Sequence, residues 1–312
     1  MMEWNRANAW RFWILDVRFW IVLLLLSPAK LYAFQDAKTN VTPPASEQDA
    51  SEQDAADQRD EEERLKRSAR LDDMRRRAEA IEVSRQHSGQ RISAKLLDNP
   101  LLRFNDTARL DLDGTVWAWG EGRPAAIMEL YPKADPPDRW VYVFTSTSPE
   151  PLDANIVAGA QRWNWSPGSP GFHAQPFPDA PPPADRPALR LRQMKELARR
   201  LTAHEFWDPD NSRFELRLLA QPVHRYQDPE AGITDAAIFL LAHGTNPEVV
   251  AIIEAAPDKN SSPRWQCAFM RLGHAEMHVE IDGRELWRQQ RASQTDLREP
   301  YWLTVAWSPP EK

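Results

Sequence analysis

Apolar residues recur at helical spacing in two segments of the chain. In the first segment a 3, 4, 3 spacing places one set on a single helix face, namely Leu71, Met74, Ala78 and Ile81. The same pattern returns 120 positions later in Leu191, Met194, Ala198 and Leu201, with leucine in place of isoleucine at the last position. We predict two helices that bury this face, the first beginning near Asp60 and the second running from Pro187 to near His204.

Alternating apolar runs, typical of β-strands, follow each helix. In the first half they occupy residues 115–119, 125–131 and 139–146, and in the second half residues 237–242, 249–255 and 264–271. Segments 275–281 and 284–287 flank Asp282-Gly283, a dipeptide typical of tight hairpin turns, and 152–163 is a weaker counterpart. Asp113-Gly114 is interpreted in the same way, as a turn that leads into the first strand.

The second half of the chain repeats the first. Residues 96–106 match residues 218–228 at an offset of 122, and 127–144 match 252–269 at an offset of 125. Short connections without helices between the strands indicate antiparallel pairing and the α+β class. We predict two sequence-related units of about 120 residues, 64–182 and 183–312, each a helix followed by a mostly antiparallel sheet. Whether they form one sheet or two domains stays open.

The first 33 residues have the order of a secretory signal peptide. Arg6, Arg11 and Arg18 precede the apolar run 19–26, and a plausible cleavage site ends at Ala33. The run is shorter than the roughly 20 residues that span a membrane. We predict an exported protein, periplasmic or extracellular, that contacts the membrane only through this leader if the leader is retained.

Residues 34–63 hold ten acidic and two basic side chains, and they are predicted to be a disordered linker because large apolar residues are scarce. The net charge of this segment is therefore −8, which exceeds the formal net charge of −7 of the whole chain. The chain beyond it is nearly neutral, so it has no basic surplus to neutralise phosphates. We therefore predict no nucleic-acid partner.

Several motifs form a recognisable set: Arg103-Phe104-Asn105-Asp106, Asp113-Gly114-Thr115-Val116-Trp117, Gly122-Arg123-Pro124, His204-Glu205-Phe206, Glu215-Leu216-Arg217-Leu218-Leu219 and Gly244-Thr245-Asn246-Pro247-Glu248. The set resembles a group of exported bacterial proteins without an assigned function, over roughly residues 70–287. The resemblance implies export and one evolutionary unit. It brings no cofactor or catalytic residue to carry over.

One polar segment combines an imidazole with carboxylates. His204, Glu205 and Asp208 are candidate general acids or bases near the end of the second helix. Pro209 and the lack of a second histidine disfavour the zinc-helix motif, and the glycine and final glutamate of a calcium loop are missing. The sequence has no nucleophile elbow, phosphate loop or dinucleotide fingerprint. We therefore predict neither a metal nor a cofactor.

Polar residues that both halves keep are predicted to be structural. Arg103 with Asp106, and Arg225 with Asp228, are interpreted as ion pairs that close turns. Cys267 is the only cysteine, and it lies in an alternating run, so we predict a buried thiol rather than a nucleophile.

Tryptophans are the last candidates for a binding surface. Trp140 and Trp265 occupy matching positions in the two halves and are predicted to lie in the core. Trp119, Trp163 and Trp165 have no such clear partners, so we treat them as candidate ligand-binding residues on a sheet surface, where rings stack on sugars or lipid chains.

These features favour a non-enzymatic binding or scaffolding module of the cell envelope, whose partner is an unidentified envelope component or ligand. Two alternatives stay open. One is a hydrolase that uses His204, Glu205 or Asp208 on an envelope or extracellular polymer. The other is a carrier that holds a hydrophobic ligand in an apolar cavity.

Overall fold

The structure is a computed structural model that describes residues 47–87, 89–106, 111–133, 138–207, 210–258, 262–292 and 296–307. Asp54–Lys312 form one compact unit, and Met1–Gln53 form another, of which only the start of the first helix is described. The predicted signal peptide lies outside the described residues. In the part of the chain that is described, no helix is long and apolar enough to cross a membrane.

The fold is mostly β, so the predicted α+β class is wrong. In the part of the chain that the structure describes, strands form 53% of the residues, there are two helices, and the sheets curl into a sandwich or half-barrel. The helices are α1 (Glu47–Glu79) and α2 (Pro187–Ala198). The prediction extended the second helix to His204, whereas Leu201 already begins a strand. It also missed the hairpin after each helix, because the second strand of each hairpin exposes many of its side chains and shows little apolar alternation.

The first half forms two antiparallel sheets. Its strands are β1 (Glu82–His87), β2 (Gln90–Ala94), β3 (Leu102–Asp106), β4 (Asp111–Trp119), β5 (Ala126–Pro132), β6 (Arg139–Ser146), β7 (Leu152–Ala158), β8 (Gln161–Trp165) and the short β9 (Gln175–Pro176). One sheet has the order β2-β1-β7-β8, and the other contains β6-β5-β4-β3.

The second half forms one continuous sheet in the order β17-β16-β10-β11-β13-β14-β15, and β12 pairs with β13. Its strands are β10 (Leu201–Trp207), β11 (Ser212–Leu218), β12 (His224–Asp228), β13 (Ile233–His243), β14 (Asn246–Pro257), β15 (Pro263–Arg271), β16 (Glu276–Ile281), β17 (Arg284–Gln289) and β18 (Tyr301–Trp307). The elements after α2 follow the same order as those after α1, hairpin first. The predicted positions of β5, β6, β14 and β15 are confirmed.

One strand from each half completes the sheet of the other half. β9 pairs with β15, and β18 pairs with β6. The pairing positions correspond, because Gln175 lies opposite Cys267 and Thr304 lies opposite Tyr142, and Cys267 and Tyr142 match at the offset of 125. Each half therefore depends on a segment of the other.

Each half has its own hydrophobic core, and a third core lies between the halves. Met74 of α1 packs in the first core and Met194 of α2 in the second. Residues from both halves share the third, among them Val116, Ile127, Ile238 and Ile252. The predicted core residues Trp140 and Trp265 are both buried.

α1 begins at Glu47, inside the segment 34–63 predicted to be a disordered linker. Glutamate, glutamine and alanine dominate this part of the helix, and all three are good helix formers. The disorder prediction rested on the lack of apolar side chains in this segment. A helix whose C-terminal end is buried does not need an apolar face along its whole length. Near that end Met74 and Ala78 are fully buried, as the apolar spacing predicted.

A buried aspartate binds two arginines in each half. In the second half Arg225 binds Asp235 through Nε at 2.8 Å and Nη2 at 2.7 Å, and Nε of Arg190 in α2 donates to the same carboxylate at 2.9 Å. The matching residues of the first half make the same arrangement, namely Arg103, Arg70 and Asp113. We call these two arrangements the arginine clamps. Each arginine clamp fixes a helix to two strands.

The arginine clamps correct two predictions. Arg225 pairs with Asp235 rather than Asp228, which instead accepts a hydrogen bond from the backbone N–H of Ala231 at 3.1 Å. Asp113-Gly114 is not a turn but lies within β4, where a Cβ on Gly114 would meet the Phe104 ring at 2.3 Å. By contrast, Asp282-Gly283 does form the turn between β16 and β17, with φ of 49° and 77°.

Candidate functional site

The predicted acid/base residues do not converge. His204 and Glu205 are consecutive in β10, so their side chains point to opposite faces of the sheet. Asp208 lies outside the described residues. The prediction set them at a helix end because it carried the apolar spacing of α2 past Ala198.

His204 belongs to a cluster on one face of the hairpin sheet. Its ring stacks on that of His278, its partner across β10 and β16, with centroids 4.6 Å apart. Nδ1 of His204 lies 3.8 Å from Glu280. The nitrogens of His278 contact carboxylates more closely, Glu285 at 2.6 Å and Glu276 at 3.1 Å. The cluster therefore ties β16 to β10 and β17.

We expect the stability that His204 contributes to decrease as the pH is lowered. Burial is the main cause of the lowered pKa of His204, Arg213 and His278 add to it, and Glu215 and Glu280 oppose it. Because the folded-state pKa lies below the unfolded value of about 6.5, the contribution is complete above that pH and is lost as pH falls through the folded-state pKa. In urea unfolding, acidification from about pH 7.5 to about pH 5 should cost the wild type more stability than His204→Gln. Equal losses would show that this histidine does not titrate as described.

Glu205 is buried and pairs with the partly exposed His243, which was not a predicted site residue. Its Oε1 lies 2.6 Å from Nδ1 of His243, and Phe214 stacks on His243 at 4.6 Å. A carboxylate that orients an imidazole is a component of acid/base sites. His204 lies on the other face, however, so the structure brings together Glu205 and His243 rather than the predicted trio.

The candidate tryptophans do not form an exposed row. Trp119 and Trp165 are fully buried, and Nε1 of Trp165 donates to the carbonyl oxygen of Glu299 at 2.9 Å. Trp163 is partly exposed and packs edge-on against Trp302, with centroids 5.6 Å apart. Ring faces that a sugar needs for stacking are therefore occupied by the protein itself at Trp119 and Trp165.

Trp119 lines a groove of about 1020 Å³ beside the end of α1. Its Nε1 is buried and has no hydrogen-bond partner among the described residues. The groove also contains both cations and carboxylates, among them Arg91, Lys95, Glu82 and Asp98. Because charges of both signs line the groove, its charge does not indicate a class of ligand.

Cys267 is buried in the second core, and burial raises the pKa of its thiol to about 12. The predicted buried thiol is therefore confirmed, and the thiolate that nucleophilic attack requires is disfavoured. Within the described ranges, no group of three or more His, Cys, Asp or Glu side chains is arranged to hold a metal ion.

A cavity of about 430 Å³ lies where the two halves exchange strands. Its walls come from β6 and the segment 169–173 of the first half, from β15 and β17, and from the start of β18. Phe269, Trp287 and Tyr301 supply aromatic walls, whereas Thr145 and Arg271 bring almost fully buried polar groups. We call this space the Arg271 cavity.

Arg271 is a buried cation without a described carboxylate in contact. Its Nε, Nη1 and Nη2 donate to the carbonyl oxygens of Gly273, Gln290 and Ala275 at 2.8, 2.8 and 2.6 Å. Three of the five N–H groups of the guanidinium are thus occupied. Burial lowers the pKa of Arg271, while Tyr301 and Glu248 oppose this effect. A further anion in contact would offset the cost of desolvating the guanidinium.

The Tyr301 hydroxyl is the second unusual group of the Arg271 cavity. Its ring centroid lies 4.8 Å from the Arg271 guanidinium, and its oxygen is buried without a hydrogen-bond partner among the described residues. Burial raises the pKa of Tyr301 strongly, Arg271 opposes this, and Glu129 and Glu248 add to it. The hydroxyl therefore keeps its proton and is available to donate. A buried donor without an acceptor costs about 1–3 kcal/mol.

Comparison of the chain with protein-family models, curated proteins and solved structures finds no match. The chemistry of the Arg271 cavity is therefore the basis for a functional proposal.

Neither Arg271 nor Tyr301 was a candidate on sequence grounds. Arg271 stands where the first half has Ser146, at the offset of 125. The available signal was a charged residue at the end of an apolar strand that is present in one half and absent from the other. This signal could not predict the location of the cavity, because the cavity forms only when β18 pairs with β6.

Proposed function

We propose that the protein is a non-enzymatic binding module whose ligand, a small anionic molecule, occupies the Arg271 cavity. The observation that supports this most is a buried guanidinium at the wall of that cavity, whose hydrogen-bond acceptors among the described residues are three carbonyl oxygens. On the basis of the predicted signal peptide, we also propose that the protein binds this ligand in the periplasm or outside the cell.

The shape and lining of the cavity support a binding role. Its volume of about 430 Å³ falls within the range of roughly 300–1,000 Å³ that is typical of small-molecule sites. Such sites combine apolar walls with a few placed polar groups. Phe269 and Trp287 supply the walls, and Arg271 and Thr145 supply the polar groups.

A charged guanidinium in an apolar wall also indicates the sign of the ligand. Hydrogen bonds from arginine to an anion are stronger than those to a neutral acceptor, and they fix orientation as well as affinity. A purely hydrophobic ligand would leave Arg271 with only its carbonyl partners, so we rank the hydrophobic carrier below an anion-binding module.

We expect a small aromatic anion to raise the melting temperature of the full-length chain, because a ligand that binds only the folded state stabilises it. The probes are phenylpropionate, phenylpropionamide and phenyl phosphate. Trp287→Ala should weaken binding by about tenfold, which corresponds to ~1.4 kcal/mol of lost contact. Trp307→Ala removes an exposed ring outside the cavity and serves as the matched control. If neither phenylpropionate nor phenyl phosphate shifts the melting temperature of the wild type, the proposal fails.

A further inference from the structure

The buried carboxylate of Glu254 is held by an arginine together with a tyrosine hydroxyl and a glutamine amide. Nε and Nη2 of Arg123 donate to the two oxygens of Glu254 at 2.8 and 2.7 Å. The Tyr226 hydroxyl donates to Oε1 of Glu254 at 2.6 Å, and Gln266 donates to Oε2 at 2.8 Å. The guanidinium lies 4.0 Å from the centre of the Phe172 ring. An arginine on an aromatic ring, together with a tyrosine hydroxyl, thus satisfies a fully buried carboxylate.

The Arg271 cavity has the corresponding donors. Its arginine also lies over an aromatic ring, Tyr301. The Tyr301 and Phe172 rings occupy equivalent places in the two halves. Tyr301 comes three residues before Thr304, which pairs with Tyr142, and Phe172 comes three residues before Gln175, which pairs with Cys267. Tyr142 and Cys267 are the matching positions of the two halves. In the cavity the hydroxyl belongs to Tyr301 itself and has no partner among the described residues.

From this parallel we infer that the ligand of the Arg271 cavity is a monocarboxylate with an apolar, ring-sized body. Its carboxylate accepts hydrogen bonds from the free N–H groups of Arg271 and from the Tyr301 hydroxyl, and its body lies against Phe269 and Trp287. The inference rests on the proposed function, because it names the ligand class of the same cavity.

The neighbouring charges favour a single negative charge. The backbone carbonyl oxygen of Glu248 accepts a hydrogen bond from the N–H of Leu272, next to Arg271, at 2.7 Å. Glu248 opposes the lowering of the Arg271 pKa, and Glu129 and Glu248 both raise the pKa of Tyr301. Both carboxyl groups are almost fully buried. A phosphate monoester, which carries up to two charges at neutral pH, would meet more repulsion from them than a carboxylate does.

The wild-type chain tests the inference without any substitution. Phenylpropionate and phenylpropionamide share size and shape but differ in charge, and phenyl phosphate carries more charge. By titration calorimetry we expect the carboxylate to bind at least tenfold more tightly than either of the others. Tighter binding of the phosphate would overturn the inference and leave the proposed function standing, because the ligand would still be an anion. Equal affinity for the neutral amide would overturn both. If none of the three binds, both fail.

Two variants locate the preference. Arg271→Met should abolish the discrimination between carboxylate and amide, whereas Arg288→Met removes an equal charge from an exposed site outside the cavity and should preserve it. Tyr301→Phe deletes only the unpartnered hydroxyl, so the ligand-free protein should melt no lower than the wild type. Its affinity for phenylpropionate should nevertheless fall several-fold. Unchanged affinity in both Arg271→Met and Tyr301→Phe would show that the carboxylate binds elsewhere.

Discussion

Asp235→Asn is expected to lower the free energy of unfolding by about 3–5 kcal/mol, the usual cost of removing one partner from a buried ion pair. Asp235 is the shared acceptor of Arg190 and Arg225, and the Arg190 side chain is only 7% exposed. Asparagine keeps the shape but not the charge, so it leaves a desolvated cation behind. Urea unfolding monitored by tryptophan fluorescence measures the difference.

The equivalent change in the first half provides the matched comparison. Asp113→Asn should cost less, about 1–3 kcal/mol, because Arg70 is 29% exposed and has a second carboxylate, Glu63, at 2.8 Å. The exposed pair between Arg200 and Asp282 sets the baseline, and Asp282→Asn should cost no more than about 1 kcal/mol. A smaller effect at Asp235 than at Asp113 would contradict the role assigned to burial.

Gly171→Ala should destabilise the fold by about 3 kcal/mol or more, at the upper end of what overpacking costs. A Cβ at this position would lie 2.0 Å from the backbone carbonyl oxygen of Ser146. Backbone at the end of β6 cannot turn aside as a flexible side chain can, so the segment 169–173 must move. The melting temperature and the urea midpoint report the loss.

The control for this change is built into the sequence. Gly168 and Gly171 close two consecutive Ser-Pro-Gly triplets, so their local sequence is the same. A Cβ on Gly168 would meet only the carbonyl oxygen of Arg298, at 3.7 Å, an ordinary contact. Gly168→Ala should therefore change stability by no more than about 0.5 kcal/mol. Similar effects at the two glycines would rule out the close approach as the cause.

Local patterns predicted the individual elements well and the architecture poorly. The alternation of apolar residues located β5, β6, β14 and β15, because these strands bury almost every side chain. The hairpins after the helices were missed, and with them the mostly β class. The exchange of β9 and β18 has no local signal, since it pairs residues at least 90 positions apart.

The candidate site was the least predictable part. The histidine and carboxylates at 204, 205 and 208 were predicted as candidates because they lie close together in the sequence, but strand geometry places His204 and Glu205 on opposite faces. Arg271 and Tyr301 are 30 positions apart and meet only through the tertiary fold. Comparing the two halves was informative in one respect, because Arg271 occupies a position where the halves differ.

The return of β18 to β6 also bears on the order in which the molecule is completed during its synthesis. Residues 301–307 are the last strand described, yet their neighbours are residues 139–146 of the first half. As the nascent chain leaves the ribosome, β6 has one edge without its β18 partner until residues 301–307 have emerged. Such an open edge is prone to pair with other chains. Trp302 of β18, which is buried among first-half residues, arrives equally late. The half of the protein that is translated first is thus the half that is finished last.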